Sequence, residues 1–194
     1  MDVIVAIAGL RPFMKAMPKN PTLQNFELVL GAKHNMVQHF WSQLGTSVFI
    51  AVMVAIITLA IGACANFAIT RIRIRGGRTI TNIALLTYLI PAAFLAIPMY
   101  KIMGEYRLLD SPWSLIFAMV ALASPYAIWV MNQASTKIPR ELDEAAKIDG
   151  ASTMQIFRFV YLPLMVPTMV AIGTYALLLA WNEYLYANLM PATE

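Results

Sequence analysis

Residues 46–78 read TSVFIAVMVAIITLAIGACANFAIT followed by RIRIRGGR, a run of 25 residues with no charge and then four arginines with no acid. About 20 uncharged apolar residues cross the hydrocarbon core of a bilayer as one helix, and a short arginine-rich link marks the cytoplasmic side. Three more stretches without Asp, Glu, Lys or Arg follow: Thr79–Tyr100, Ser111–Thr136 and Phe159–Asn182. A soluble protein can bury one such helix, but four in succession leave almost no polar face for water. The whole chain agrees, since 60% of its 194 residues are hydrophobic and only 12% are charged. The expected fold is an all-α, polytopic membrane helical bundle in one transmembrane domain over 1–194. Its spans fall at about 46–70, 79–101, 113–135 and 164–189, with a cytoplasmic loop at 136–163.

Charge sets the orientation. Besides Arg71, Arg73, Arg75 and Arg78, the loop after the third span carries Lys137, Arg140, Lys147 and Arg158. The link between them, Lys101–Pro112, holds only Lys101 and Arg107, beside Glu105 and Asp110. The positive-inside rule then places Met1–Gly45 outside the cell. That segment has Val3–Leu10 as its apolar run, too short to span, and an irregular stretch through Pro12, Pro18 and Pro21. After the last span only Met190–Glu194 remain, so the chain reads as an internal piece or a shortened version of a larger protein. Pro91, Pro98, Pro125 and Gly173 are expected to punctuate the spans, because proline removes a backbone donor and bends a helix.

Several chemistries find no support. Cys64, the sole cysteine, lies inside the first span and reads as a small packing residue, so no disulfide framework or cysteine metal site can form. His34 and His39 are isolated and read as external loop residues rather than metal ligands. A net charge of +4 is explained by topology, without aromatics interleaved for nucleic acid. The chain offers no acid/base pair, activated nucleophile or phosphate-binding glycine loop, so it is expected not to be an enzyme and to hold no cofactor or metal. The spans also contain no central Asp or Glu, which speaks against an ion-driven secondary transporter.

Ser135–Pro163 is long for a connection between spans and carries the signals of two short helices. Pro139 suits the first helical position, Glu141, Asp143 and Glu144 suit the positive end of the helix dipole, and Gly150 suits the terminating position. Ile138, Leu142, Ala145 and Ala146 give this helix one narrow apolar face. Ser152-Thr153-Met154-Gln155 fits a capping box at a second helix start, before Leu162-Pro163 leads into the membrane. The small apolar face and balanced charges fit a shallow groove on a protein partner better than a lipid surface.

The run Glu144-Ala145-Ala146-Lys147-Ile148-Asp149-Gly150-Ala151-Ser152, with Phe157 and Leu162-Pro163, resembles the E-A-A loop of ABC importer permeases. Asn20–Phe26, Ile138–Leu142 and Ala180-Trp181-Asn182-Glu183-Tyr184 are similar to carbohydrate permeases of the MalG type and extend the resemblance over nearly the whole chain. Thr46 departs from that pattern, which has Asn before Ser47, and the family fold has six or so spans, where four complete ones are expected here.

The resemblance implies a permease subunit in a bacterial or archaeal cell membrane that works by alternating access. Its partners would be ATP-binding cassette subunits that bind the ATP, a second permease subunit in a heterodimer, an external solute-binding protein and a sugar, with no nucleic acid. It implies ATPase docking through Glu144, Ala145, Ala146, Asp149 and Gly150. Trp181, Asn182, Glu183 and Tyr184 are substrate-pathway candidates, although Trp and Tyr near an interface also serve as plain anchors. The competing reading is a truncated, structural or non-transporting membrane subunit.

Overall fold

A computed structural model describes residues 30–31 and 39–190. Asn20–Phe26, the prolines before it and His34 therefore lie outside the described residues. The chain divides into two units at Leu44–Gly45, where the sequence suggested one domain over 1–194. In the first, the Trp41 indole N–H donates to the Leu30 carbonyl at 3.0 Å and Phe40 meets Trp41 edge to face.

The long uncharged run forms helix α1, Phe40–Ile72, whose last turn, Ala68–Ile72, widens into a π-helix. It ends at Arg73 in the left-handed conformation. Helices α2 (Gly77–Tyr88) and α3 (Ala92–Glu105) follow, bent by 101° across the break between them. The span expected at 79–101 is thus an angled pair. Pro91 supplies no N–H and disfavours helical backbone at Ile90, so the helix stops before it. Pro98 and Pro125 stay within helices, the latter in α4, Pro112–Ser135. There Ser111 caps the start by accepting from the Trp113 N–H, and Pro112 occupies the first turn, where its missing donor costs nothing.

After the short helix α5, Glu141–Ile148, comes α6, Thr153–Trp181. The sequence predicts a small helix and then a separate span from Leu164; instead one helix runs through. Its turn Ile156–Tyr161 is π-helical, and the Leu162 N–H donates to the Phe157 carbonyl. The wider turn absorbs Pro163, whose ring clashes with the carbonyl four residues back in a regular α-helix. α6 also stops at Trp181 rather than continuing to residue 189, and a separate turn, α7, covers Leu185–Leu189.

Three of these helices, α1, α4 and α6, are long and apolar enough to cross a membrane, and the bent α2–α3 pair makes a fourth if it is one span. They pack around two clusters of buried side chains. One contains Val54, Ile116, Met119, Ala123 and Ala176; the other contains Phe67, Ala127, Met131, Tyr161 and Met165. Asn66, fully buried, donates from its amide to Gly62 O in its own helix and to Ile128 O in α4, both at 3.0 Å. One turn on, the Thr70 hydroxyl donates to Asn66 O and meets Ser135 Oγ at 2.8 Å. These bonds fix α1 and α4 in register, since a buried polar group left unpaired is costly.

Large apolar side chains cover the outside, among them Ile56, Phe94, Ile97 and Val170. In water that surface would be unfavourable, while in lipid it meets its own kind. Cys64, read from the sequence as a small packing residue, lies on this outer surface. Gly173 does not interrupt α6; it allows close approach, because a Cβ there would lie 3.1 Å from Leu59 Cδ1. Gly62 is tighter still, with Met131 Sδ 2.6 Å from the position a Cβ would take. Gly62→Val is therefore expected to destabilise the bundle by about 1–3 kcal/mol. Gly45→Ala, which would meet nothing within 4 Å, should be close to neutral. Unfolding of the two variants in detergent checks the contrast.

Candidate functional site

The loop predicted to dock a partner forms a tight elbow between α4 and α6. Its helix α5 starts when the Asp143 and Glu144 N–H groups donate to Arg140 O, so Arg140 occupies the cap and Pro139 precedes it. The sequence puts Pro139 at the first helical position, two places further in; Pro139 instead lies in the short link between α4 and α5. Glu141, Asp143 and Glu144 fill the first turn, where the helix dipole favours anions.

The other end of α5 closes as the sequence predicts. Gly150 has φ +84°, and its N–H donates to Lys147 O at 3.0 Å while the Ala151 N–H donates to Ala146 O at 2.9 Å. This paired closure satisfies the last carbonyls and needs a left-handed residue, which is why glycine stands there. Two residues later Ser152 Oγ accepts from the Gln155 N–H at 3.3 Å, and Gln155 Oε1 accepts from the Ser152 N–H at 2.7 Å. The predicted capping box is complete and starts α6. Both ends of the elbow are thus fixed by hydrogen bonds local in sequence.

What holds α5 against the bundle is not local. Arg71, in the π-turn ending α1, places Nη1 3.0 Å from Asp143 Oδ2, with the two side chains only 5% and 11% exposed. Its Nη2 donates to Ile138 O at 3.3 Å, and the guanidinium lies 5.9 Å from the centre of the Tyr161 ring. Tyr161 belongs to the π-turn of α6 and packs edge-on against Phe67 of α1, their ring centres 5.2 Å apart. Phe157, from the same turn, meets Phe67 at 5.0 Å. The π-turns of α1 and α6 therefore converge on one cation and one carboxylate. The sequence assigned Arg71 to topology and Asp143 to the helix dipole, and gave no sign that they pair.

The candidate docking residues fall on two sides. Glu144, Ala145, Asp149 and Gly150 are exposed, whereas Ala146 is half-buried and packs with Ile138 on the cluster around Phe157. The outward face also presents Leu142, Ile148 and Met154, with Ile148 87% exposed. The motifs that contain Ile148 and Met154 do not mark them as exposed; the available signal for Ile148 is an apolar residue beside Asp149 in a polar stretch.

At the far end of α6 the four pathway candidates form the junction between α6 and α7. Asn182 caps α6 and its amide donates to Leu178 O at 2.9 Å. Glu183 Oε1 accepts from the Tyr186 N–H at 3.1 Å and so supports the start of α7. Trp181 and Tyr184 are exposed. The Tyr186 hydroxyl, which the sequence did not suggest, reaches across to donate to Ala92 O at 2.7 Å, just past the Pro91 break. His39 is exposed, and the described residues contain no group of three or more His, Cys, Asp and Glu that could hold a metal.

An all-α bundle of membrane-length helices, with a capped elbow projecting from its arginine-rich end, defines an integral membrane protein. Residues 59–190 match the family described as binding-protein-dependent transport system inner membrane component, and the chain belongs to that family. It is 31% identical over 180 residues to the trehalose transport system permease protein SugB of Mycobacterium tuberculosis, covering 93% of this chain and 64% of that protein. It is 34% identical over 147 residues to the lactose transport system permease protein LacG of Rhizobium radiobacter, covering 76% and 52%. Against the trehalose/maltose transport system permease protein MalG of Thermococcus litoralis it is 30% identical over 168 residues, covering 87% and 59%. The chain thus spans between about half and two thirds of the length of these relatives.

Removing one partner of a buried ion pair strands the other charge. Arg71→Met and Asp143→Leu should each cost about 3–5 kcal/mol, while the double variant should lose less than either alone. Detergent unfolding of the three variants tests this coupling; additive losses would show that the pair does not act as a unit.

Proposed function

We propose that this chain is a membrane permease subunit of an ATP-driven, binding-protein-dependent importer of a sugar or oligosaccharide. The observation that carries the proposal is the elbow Glu141–Gln155: an exposed, small-sided helix end fixed by its own caps and anchored by Arg71 to the end of a membrane span. Such an element transmits displacement, since a push on α5 reaches α1 through the ion pair and α6 through the short link at Asp149–Ser152. The names of the relatives, which refer to trehalose, lactose and maltose transport, support a carbohydrate as cargo.

In this reading the elbow faces the cytoplasm of a bacterial or archaeal cell and docks on an ATP-binding cassette subunit. Glu144, Ala145, Ala146, Asp149 and Gly150 form the docking group. Small side chains allow close approach, the acids pair with basic groups of the partner, and Gly150 sets the direction in which the chain leaves. The permease pairs with a second permease subunit and receives its cargo from an external solute-binding protein. The junction Trp181–Tyr184 works as an outer gate, in which Asn182 and Glu183 hold the backbone while the exposed aromatics face the pathway or the interface.

Gly150→Val places a β-branched residue at φ +84° and is expected to abolish ATP-dependent uptake in proteoliposomes while leaving membrane insertion intact. Gly150→Asn, which tolerates the left-handed conformation, should retain part of the activity. Normal uptake by the valine variant would refute the coupling role, and substrate binding without uptake by the unmodified chain in the assembled transporter would favour a structural subunit.

Independently, Glu183→Gln retains an oxygen acceptor for the Tyr186 N–H. It should leave sugar preference unchanged in competition assays, whereas a changed preference would assign Glu183 to direct cargo contact.

A further inference from the structure

A cavity of about 580 Å³ opens beside the elbow, between the last turn of α1, the first turns of α2 and the end of α4. Arg78, Lys137 and Arg140 line it, together with the amides of Asn82, Asn132 and Gln133. Glu141 is the one carboxylate that lines it, and the charge of Arg71, which also borders it, is already met by Asp143. None of Arg78, Lys137 and Arg140 takes part in an ion pair among the described residues. Three cations around one hollow repel each other, and a bound anion relieves that repulsion.

The adjoining surface indicates what kind of anion. Along α2, the cavity-side face begins with Arg78 and Asn82 and continues, at helical spacing, through half-buried Leu85 to the C-cap residue Leu89, which is 68% exposed. Neighbouring Leu86 is 63% exposed. Charge therefore gives way to apolar surface within three turns, on a helix leading from the arginine-rich link into the apolar part of the bundle. A free phosphate uses only the first part of this gradient, while an amphiphile uses all of it.

We infer that this cavity binds the phosphate headgroup of an anionic phospholipid from the cytoplasmic leaflet, its acyl chains lying along Leu86 of α2 and Leu89, which caps that helix. Arg78, Lys137 and Arg140 neutralise the phosphate, and the amides donate to its oxygens. The site borders Pro139 and Glu141, so an occupied cavity also braces the root of the elbow. The lipid assignment does not require the sugar-import reading, only the membrane orientation set by charge.

Native mass spectrometry of the purified chain taken from vesicles of phosphatidylglycerol and phosphatidylcholine tests it. The expected result is retention of phosphatidylglycerol over phosphatidylcholine, lowered about tenfold or more in the triple variant Arg78→Gln, Lys137→Gln, Arg140→Gln. The control Arg73→Gln, Arg75→Gln removes neighbouring exposed cations that do not line the cavity and should change retention little. Equal loss in both would mean diffuse attraction to an anionic surface and overturn the site. Displacement of the lipid by millimolar inorganic phosphate would overturn the lipid assignment in favour of a soluble anion. Should the triple variant misfold, Asn82→Leu with Asn132→Leu replaces it, with the same retention expected to fall and an unchanged value counting against the site.

Discussion

The elbow depends on a single buried charge pair. Arg71 leaves the lipid-spanning helix α1 at the point where its winding widens, and Asp143 is the one acid of the first turn of α5 that turns inward. A cation this deeply covered is tolerated only because a carboxylate and a backbone carbonyl meet it, with an aromatic face alongside. Remove that constraint and α5 is a short helix held only at its ends, too short to be stable by itself. With it, α5 has a defined position against both α1 and α6.

The two π-turns follow from the same constraint. A π-turn inserts an extra residue into a helix and shifts the side chains beyond it around the axis, often at functional positions. In α1 it aims Arg71 at the elbow; in α6 it brings Phe157 and Tyr161 to the same point. It also lets α6 pass through Pro163 without breaking, so the elbow connects directly to a membrane-length helix. Mechanical continuity from an exposed elbow into a span is the property the proposed ATP-coupled permease requires.

The sequence was most legible where structure is local. Gly150 and the Ser152/Gln155 box act within a few residues, and the end of α5 and the start of α6 appear where these signals place them. Uncharged length revealed the membrane helices, because lipid imposes that requirement on every residue at once. The Arg71–Asp143 pair was not legible, since nothing in either neighbourhood distinguishes a pairing cation from a topological one. Pro91 and Pro163 look alike as sequence signals, yet one breaks a span and the other sits inside a helix. The difference lies in the winding upstream of Pro163, which no residue announces. The half-burial of Ala146 was not legible either, for a related reason. On a two-turn helix a small residue fits either side, and the neighbouring Phe157 cluster decides.

The central claim is that the exposed side of α5 meets an ATP-hydrolysing subunit and passes its motion to the membrane helices. Cross-linking in assembled transporter measures this directly. In a Cys64→Ser background, a cysteine introduced by Ala145→Cys should link to a cysteine series in the cleft of the ATPase subunit, with a yield that changes between the ATP-bound and nucleotide-free states. A cysteine from Ser124→Cys, within α4, should not link. Absence of any Ala145→Cys link in a complex that still transports, or the same yield in both nucleotide states, would contradict the account.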